Sequence, residues 1–431
     1  MTLNETAPYD EASQYDSTDD VFSLIGEVRA VVSTVLMIED ESEVQRREQY
    51  AIAFRGVLQL EPDEAYQRLA SLLEPLGFTP FLQRDRGQDV VLAVQGLPAN
   101  LEAETGGGPL RRLLRASGRS PWWLHLALLL ATIGTTMYAG ALLLDGNAVT
   151  LGEVLAAGGP FALTLLLILG VHEMGHYLAA RYHRVKVTLP FFIPLPIPGS
   201  LGTLGAVIFI RSPLNNRRSL FDVGISGPLA GLAVALPLFV IGLLLPPIEF
   251  GAPIYLVFRG VGVPPLLQWV GGALAEGSLS RAILFHPVAL AAWFGVLLTA
   301  LNLLPLGQFD GGHVSYALFG RRAWPLAGAV FIALIVLGFF YWPTWLIWAF
   351  LAGMTGLRHP PPQNDITPLD GRRQLIGLLT LLLFLLIVVP QPIRARQATF
   401  MPSGGEGTVP LPTIAPPNIP TPTPFIFPSG Q

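Results

Sequence analysis

The sequence predicts an α-helical multi-pass membrane protein with about 6–7 transmembrane helices, preceded by a small soluble α+β domain. Three observations carry this reading. Of the 431 residues, 51% are hydrophobic and only 13% charged, and mean hydropathy is +0.52, where a soluble chain carries roughly a quarter charged residues. The charge is uneven, with 20 of the 30 acidic residues falling before Thr105. After residue 120, apolar runs recur at about the length that crosses hydrocarbon.

Taken in order, residues 1–20 are polar and acidic and read as disordered. They show no basic n-region or apolar h-region, so no cleaved signal peptide is expected. Residues 21–96 suit the soluble α+β domain. Glu61–Leu76 has helical spacing behind an acidic start. Phe78–Gln83 and Asp89–Gln95 read as strands around a polar turn. Residues 97–120 form a linker ending in a basic collar of Arg111, Arg112, Arg115 and Arg119.

The membrane part is expected over 121–392, with spans near 121–144, 155–182, 221–247, 284–305, 324–341, 343–357 and 373–391. A cytoplasmic N-terminal domain puts 15 basic residues inside against four outside (Arg259, Arg281, Arg394 and Arg396), as the positive-inside bias requires. Trp122, Trp123, Trp324, Trp342 and Trp345 suit interfacial belts. Val187–Ile210 is apolar but carries Pro190, Pro194, Pro196 and Pro198, which forbid a continuous helix. It is expected as a re-entrant loop ending in a strand over Leu204–Arg211. Residues 251–275 read as an outer loop or partial span, and 393–431 as a Pro-rich tail. The inferred location is a bacterial inner membrane, with the tail extracytoplasmic.

The chemistry concentrates at His172-Glu173-Met174-Gly175-His176, inside the apolar stretch Phe161–Ala180. Ionisable groups are expensive in a bilayer and mark function there. On a helix, residues four apart share a face, so His172 and His176 can grip one ion with Glu173 beside it. The chain has no cysteine, which leaves His, Asp and Glu to bind one Zn²⁺. A catalytic zinc takes three protein ligands and keeps a position for water. Asp310, at the inner end of another span, is the best third ligand, and Glu173 the general base. Without the histidine pair, Asp310 would read as a helix cap or an Asx-turn before Gly311-Gly312. His313 could join the metal or serve beside it. Gly224–Gly231 reads as a small-xxx-small packing face, with Asp222 marking the start of its helix. His183 reads as interfacial at the cytoplasmic border, and His125, His286 and His359 as non-ligands near span ends.

The HExxH of His172, Glu173 and His176, with the later run Asn302, Pro305, Asp310, Gly311 and Gly312, resembles the site-2 protease family of intramembrane zinc metalloproteases, peptidase family M50. The stretches Gly224–Gly231 and Leu201–Ile208 resemble it too, and the likeness covers about 155–315. The resemblance implies cleavage within a transmembrane segment of single-span or membrane-anchored protein substrates, with membrane lipid as the surrounding partner. It also implies that Asn302 helps position substrate. A loop containing Gly202, Thr203, Leu204 and Gly205 would pair with unwound substrate as an added strand. With no PDZ-sized insertion, the chain is most similar to the bacterial and plastid branch that carries an N-terminal soluble region. That region is expected to regulate or gate.

Two rival classes share these features. Ionisable residues in spans also mark a metal transporter or channel, although one cluster is not a ladder of sites. A catalytically dead homologue would act as a chaperone, but here the base and all three ligands are present. Nothing resembles a nucleic-acid footprint.

Overall fold

The computed structural model describes residues 18–46, 49–96, 121–144, 150–197, 199–246, 258–275 and 277–395. Most of the N-terminal stretch, the basic collar and the tail after Ala395 lie outside them.

The N-terminal domain runs α1 (Thr18–Ser33), β1 (Leu36–Arg46), β2 (Gln49–Leu58), α2 (Pro62–Leu73), β3 (Phe78–Asp85) and β4 (Gln88–Gln95). The strands form an antiparallel sheet in the order β1-β2-β4-β3, which leaves β1 and β3 at its edges. Period-two alternation turns Ile52 and Phe54 of β2, Phe78 and Leu82 of β3, and Val91 and Ala93 of β4 to one face. Val28, Val32, Ala65, Leu69 and Leu73 of the two helices cover that face. The expected helix and strand pair are present, with β3 and β4 each extended toward the turn. The sequence reading did not resolve α1, β1 or β2.

The remainder is mostly helical. After α3 (Trp122–Leu144), a single π turn at Val154–Gly158 leads into α4 (Gly159–Tyr182). The stretch read as re-entrant is a β-hairpin of β5 (Phe191–Pro194) and β6 (Thr203–Val207), continued at its base by a bridge from Val187 to Ile210. Pro190 and Pro194 bracket the short β5 strand, where a missing N–H is least costly. Then come α5 (Arg217–Leu244), β7 (Phe258–Val261), α6 (Pro265–Gly271), α7 (Leu279–Phe285) and α8 (Pro287–Asn302). The described residues end with α9 (Asp310–Phe319), α10 (Ala323–Phe340), α11 (Thr344–Thr355), α12 (Gly371–Ile387) and β8 (Ile393–Ala395), which pairs with β7.

Among the described residues, four helical runs are long and apolar enough to cross a membrane: 122–144, 151–182, 217–244 and 310–340. A fifth counts if α7 and α8, bent by 117°, form one span. The expected count of 6–7 is therefore not reproduced. Hydropathy did not register the bend at His286-Pro287, and α11 has only 12 residues. In compensation, α9 and α10 form one apolar run whose first part the sequence reading left unassigned.

Packing sets the layout. α8 is buried on nearly every side, from Ala289 round to Ala300, as an all-apolar helix must be when it forms the centre of a bundle. α4 and α5 lie against it, and Phe161, Leu165, Ile168, Leu232, Phe239 and Val296 share one core. Trp122 and Trp123 stay 72% and 58% exposed at the start of α3, as belt residues should. Trp345 does not: it is buried, and its Nε1 donates to the Pro390 carbonyl at 2.8 Å.

Candidate metal centre

Within α4, His172 and His176 lie one turn apart on the buried face, with Glu173 buried beside them. The two imidazoles meet edge to face, their centroids 4.9 Å apart, and their Nε2 atoms are separated by 3.1 Å. His176 sits six residues from the helix end at Tyr182, about 9 Å along the axis.

Asp310 arrives from 134 residues further on, at the first position of α9. The N-cap position of that helix is Phe309, not Asp310. Instead Oδ2 of Asp310 lies 3.2 Å from the Nε2 of both histidines. The structure therefore does not use Asp310 as a helix cap. A tetrahedral ion with bonds of about 2.0 Å holds its donors about 3.3 Å apart, so the two-nitrogen, one-oxygen set fits zinc in both spacing and type.

The donor atoms are oriented from behind. Nδ1 of His176 donates to the Val223 carbonyl of α5 at 2.7 Å. A carbonyl can only accept, so this bond leaves Nε2 deprotonated and available to a metal. The α5 glycines make room for the rings. A Cβ on Gly227 would lie 2.1 Å from Nε2 of His176, and one on Gly231 would lie 3.2 Å from the His172 ring. The stretch read as a helix-packing face is thus also the seat of both imidazoles.

Glu173 is reached by the backbone amide of Ile208, just past the end of β6. Asn302, the last residue of α8, places Nδ2 3.2 Å from Nε2 of His172. Residues far apart in sequence, from α4, α5, α8, α9 and the hairpin, thus converge on one point.

Residues 160–341 match the family described as Peptidase family M50, a span that holds every group just described. The chain belongs to peptidase family M50. This M50 chain is 31% identical over 356 residues to a protein of Arabidopsis thaliana described as "Probable zinc metalloprotease EGY2, chloroplastic", covering 79% of the chain and 60% of the relative. It is 35% identical over 244 residues to "Probable zinc metalloprotease EGY1, chloroplastic" of Oryza sativa subsp. japonica, covering 54% of the chain and 40% of the relative. The chain spans about three fifths of the length of the EGY2 relatives it matches. No solved structure matches it.

Other expected positions of the M50 chain lie elsewhere. The bonds of Gly202 and Thr203 run to α3 and β5: Thr135 Oγ1 donates to the Gly202 carbonyl at 2.6 Å, and Thr203 Oγ1 to the Ile193 carbonyl at 2.9 Å. Leu204 is 66% exposed on the hairpin flank beside Gly205. None of the four contacts the three donor groups. His313 turns away to hydrogen-bond His359, Nδ1 to Nε2, at 2.9 Å.

Asp222 does not mark a helix start. α5 begins at Arg217 behind an Asn216–Ser219 capping box. Asp222 lies in its second turn, where it accepts from Arg373 Nε at 2.7 Å and pairs with His183 Nε2 at 2.8 Å. That network ties α12 and the end of α4 to α5, and no local pattern announced it. Val223 was equally invisible, because it contributes a carbonyl that every residue owns.

Proposed function

We propose that this chain is a zinc metalloendopeptidase that cleaves peptide bonds within membrane-inserted segments of anchored, single-span protein substrates. One observation carries the reading: two imidazole nitrogens and a carboxylate oxygen stand 3.1–3.2 Å apart beside a buried glutamate, inside an apolar helix. The M50 match and the zinc metalloprotease names of the relatives point the same way.

His172, His176 and Asp310 are the residues that would hold zinc. When bound, zinc supplies Lewis acidity toward a water and toward the scissile carbonyl. Glu173 then takes a proton from the attacking water and delivers it to the departing amide nitrogen, so one water is consumed per bond cut. Asn302 directs its amide toward the same point and would hold the substrate backbone there. A helical substrate hides its peptide bonds, so it must unwind first. The hairpin, with Leu204 and Gly205 on its open flank, offers such a segment a strand to pair with.

Packing and charge support one assignment of the sides of the membrane. The N-terminal domain touches Arg218 at the start of α5, and Arg321 between α9 and α10. By the positive-inside bias this face is cytoplasmic. The β7–β8 ribbon lies at the opposite ends of α5 and α12, outside.

The test compares wild type with Glu173→Gln in detergent, by zinc content and by cleavage of single-span substrates. Both forms should hold about one zinc, and only wild type should cut. A protein that binds no metal in either form, or a Glu173→Gln variant that cuts as well as wild type, overturns the proposal.

A further inference from the structure

The edge strand β3 is bonded on its outer side. The Leu82 amide donates to the Gln363 carbonyl at 2.7 Å, and the Asp365 amide returns a bond to the Leu82 carbonyl at 2.8 Å. On their other side, the amides of Gln363 and Asn364 donate to the carbonyls of Leu214 and Asn215 at 3.0 and 2.8 Å. Asn364 therefore forms a parallel bridge to Leu82 of β3 on one side and to Asn216 on the other, and this backbone link joins the soluble domain's sheet edge to the helical part.

Asn364 is the node of this strap. It has no exposed surface. Its Nδ2 donates to Thr367 Oγ1 at 2.8 Å and to the Pro62 carbonyl at 3.1 Å, while its Oδ1 accepts the amides of Ile366 and Thr367. Asp63 of α2 accepts from Thr367 Oγ1 at 2.8 Å, and Tyr66 donates to Gln363 Oε1 at 2.6 Å. From the helical side, Arg217 and Tyr316 both donate to Asp365, at 2.8 and 3.0 Å.

What the strap grips is the foot of the hairpin. Upstream of 214–216, the Arg211 amide donates to the Lys186 carbonyl at 2.7 Å, and Val187 bridges Ile210. Two residues before that bridge, the Ile208 amide reaches Glu173. A continuous hydrogen-bonded backbone thus connects β3 to the strand that flanks the general base.

We infer that the 363–367 strap, with Asn364 as its positioning residue, holds the β5–β6 hairpin in the conformation that captures substrate. The inference rests on the peptidase reading above. It assigns the N-terminal domain the role of a fixed anchor for the capture strand. A hairpin held rigid at its base loses little freedom when a strand adds to it, and the binding cost falls accordingly. Loosening the strap moves that ordering cost into substrate binding and leaves the donors at His172, His176 and Asp310 in place.

The test uses the full chain in nanodiscs carrying Asn364→Ala, with Tyr66→Phe as a milder variant that deletes one bond to the strap. Hydrogen exchange of the hairpin amides, zinc content, and the affinity of the Glu173→Gln form for a labelled single-span peptide are measured together. Asn364→Ala should speed hairpin exchange and weaken peptide binding by about tenfold each, with one zinc retained; Tyr66→Phe should do the same to a smaller degree, and Glu64→Gln, on the exposed face of α2, should stay near wild type. Exchange confined to 363–367 and 214–216, or unchanged peptide affinity, overturns the inference. So does loss of zinc together with binding, because the strap would then act on α5 and not on the hairpin. If wild type neither holds zinc nor cleaves, the peptidase reading fails, while the exchange data alone still decide whether the strap holds the hairpin.

Discussion

Nδ1 of His176 and the Val223 carbonyl are joined across two helices at 2.7 Å. The bond fixes the imidazole tautomer and also couples the α4 ring to the register of α5. A shift of α5 along its axis would carry the acceptor away and close the space over Gly227. The metal centre therefore depends on how closely these two helices pack.

Gly227→Ala should accordingly remove metal without unfolding the chain. The added Cβ would stand 2.1 Å from Nε2 of His176, and the ring cannot retreat from it while keeping the Val223 bond. Zinc affinity should fall by at least tenfold, a lower bound set by losses at positions one layer out from a metal. Zinc analysis after dialysis, with far-ultraviolet circular dichroism to report the helices, checks this.

Asp310→Asn tests the third donor. It keeps the shape and removes the charge that offsets zinc's own, so affinity should drop by more than the roughly 10–100-fold seen for supporting residues. Binding that favours the folded state also stabilises it. A chelator should lower the melting temperature of wild type and leave that of Asp310→Asn nearly unmoved.

Asp222 and Arg373 should behave as a coupled pair. Each is partly buried, with 23% and 30% of its side-chain surface exposed, so losing one partner leaves the other poorly solvated. Asp222→Asn or Arg373→Gln alone should cost about 2 kcal/mol, less than for a fully buried pair, and the double variant less than the sum of the two. Thermal unfolding of the four proteins closes the cycle.

His359 predicts an acid-sensitive segment. It lies between α11 and α12, outside the spanning helices. Burial, with His313 facing it, holds its pKa well below the usual 6.5, against a smaller opposing bond from the Pro360 backbone. Tyr316 packs on its ring. Below about pH 6.5 the unfolded chain takes up a proton that the folded chain refuses, so stability falls as pH drops, by up to about 1.4 kcal/mol per unit. Melting temperatures from pH 7.5 to 5.5 should show the fall, and His359→Leu should flatten it.

Much of the centre was legible because helical spacing writes it into adjacent residues: His172, Glu173 and His176 need only one turn. Asp310 was harder, since its approach depends on two helices meeting, and depth in the membrane was the sole guide. The strap left no trace in any periodicity. Residues 359–362 are proline-rich and 363–367 mostly polar, yet Asn364 bridges β3 because that edge presents unpaired backbone groups to it. Span counting erred for a related reason. Hydropathy records how apolar a segment is, and is silent on whether it bends at His286-Pro287 or is enclosed by its neighbours as α8 is.

The bridge at the β3 edge also bears on how this chain can be taken apart. Cut after residue 96, the N-terminal domain would keep its hydrophobic core but expose the bare N–H and C=O groups of β3, a template for sticking to other copies of itself. It is thus poorly suited to being a transplantable cassette. A fragment designed to behave in solution would need residues 363–367 grafted on as a synthetic edge strand, and a chimera that swaps the domain would need its strap swapped too.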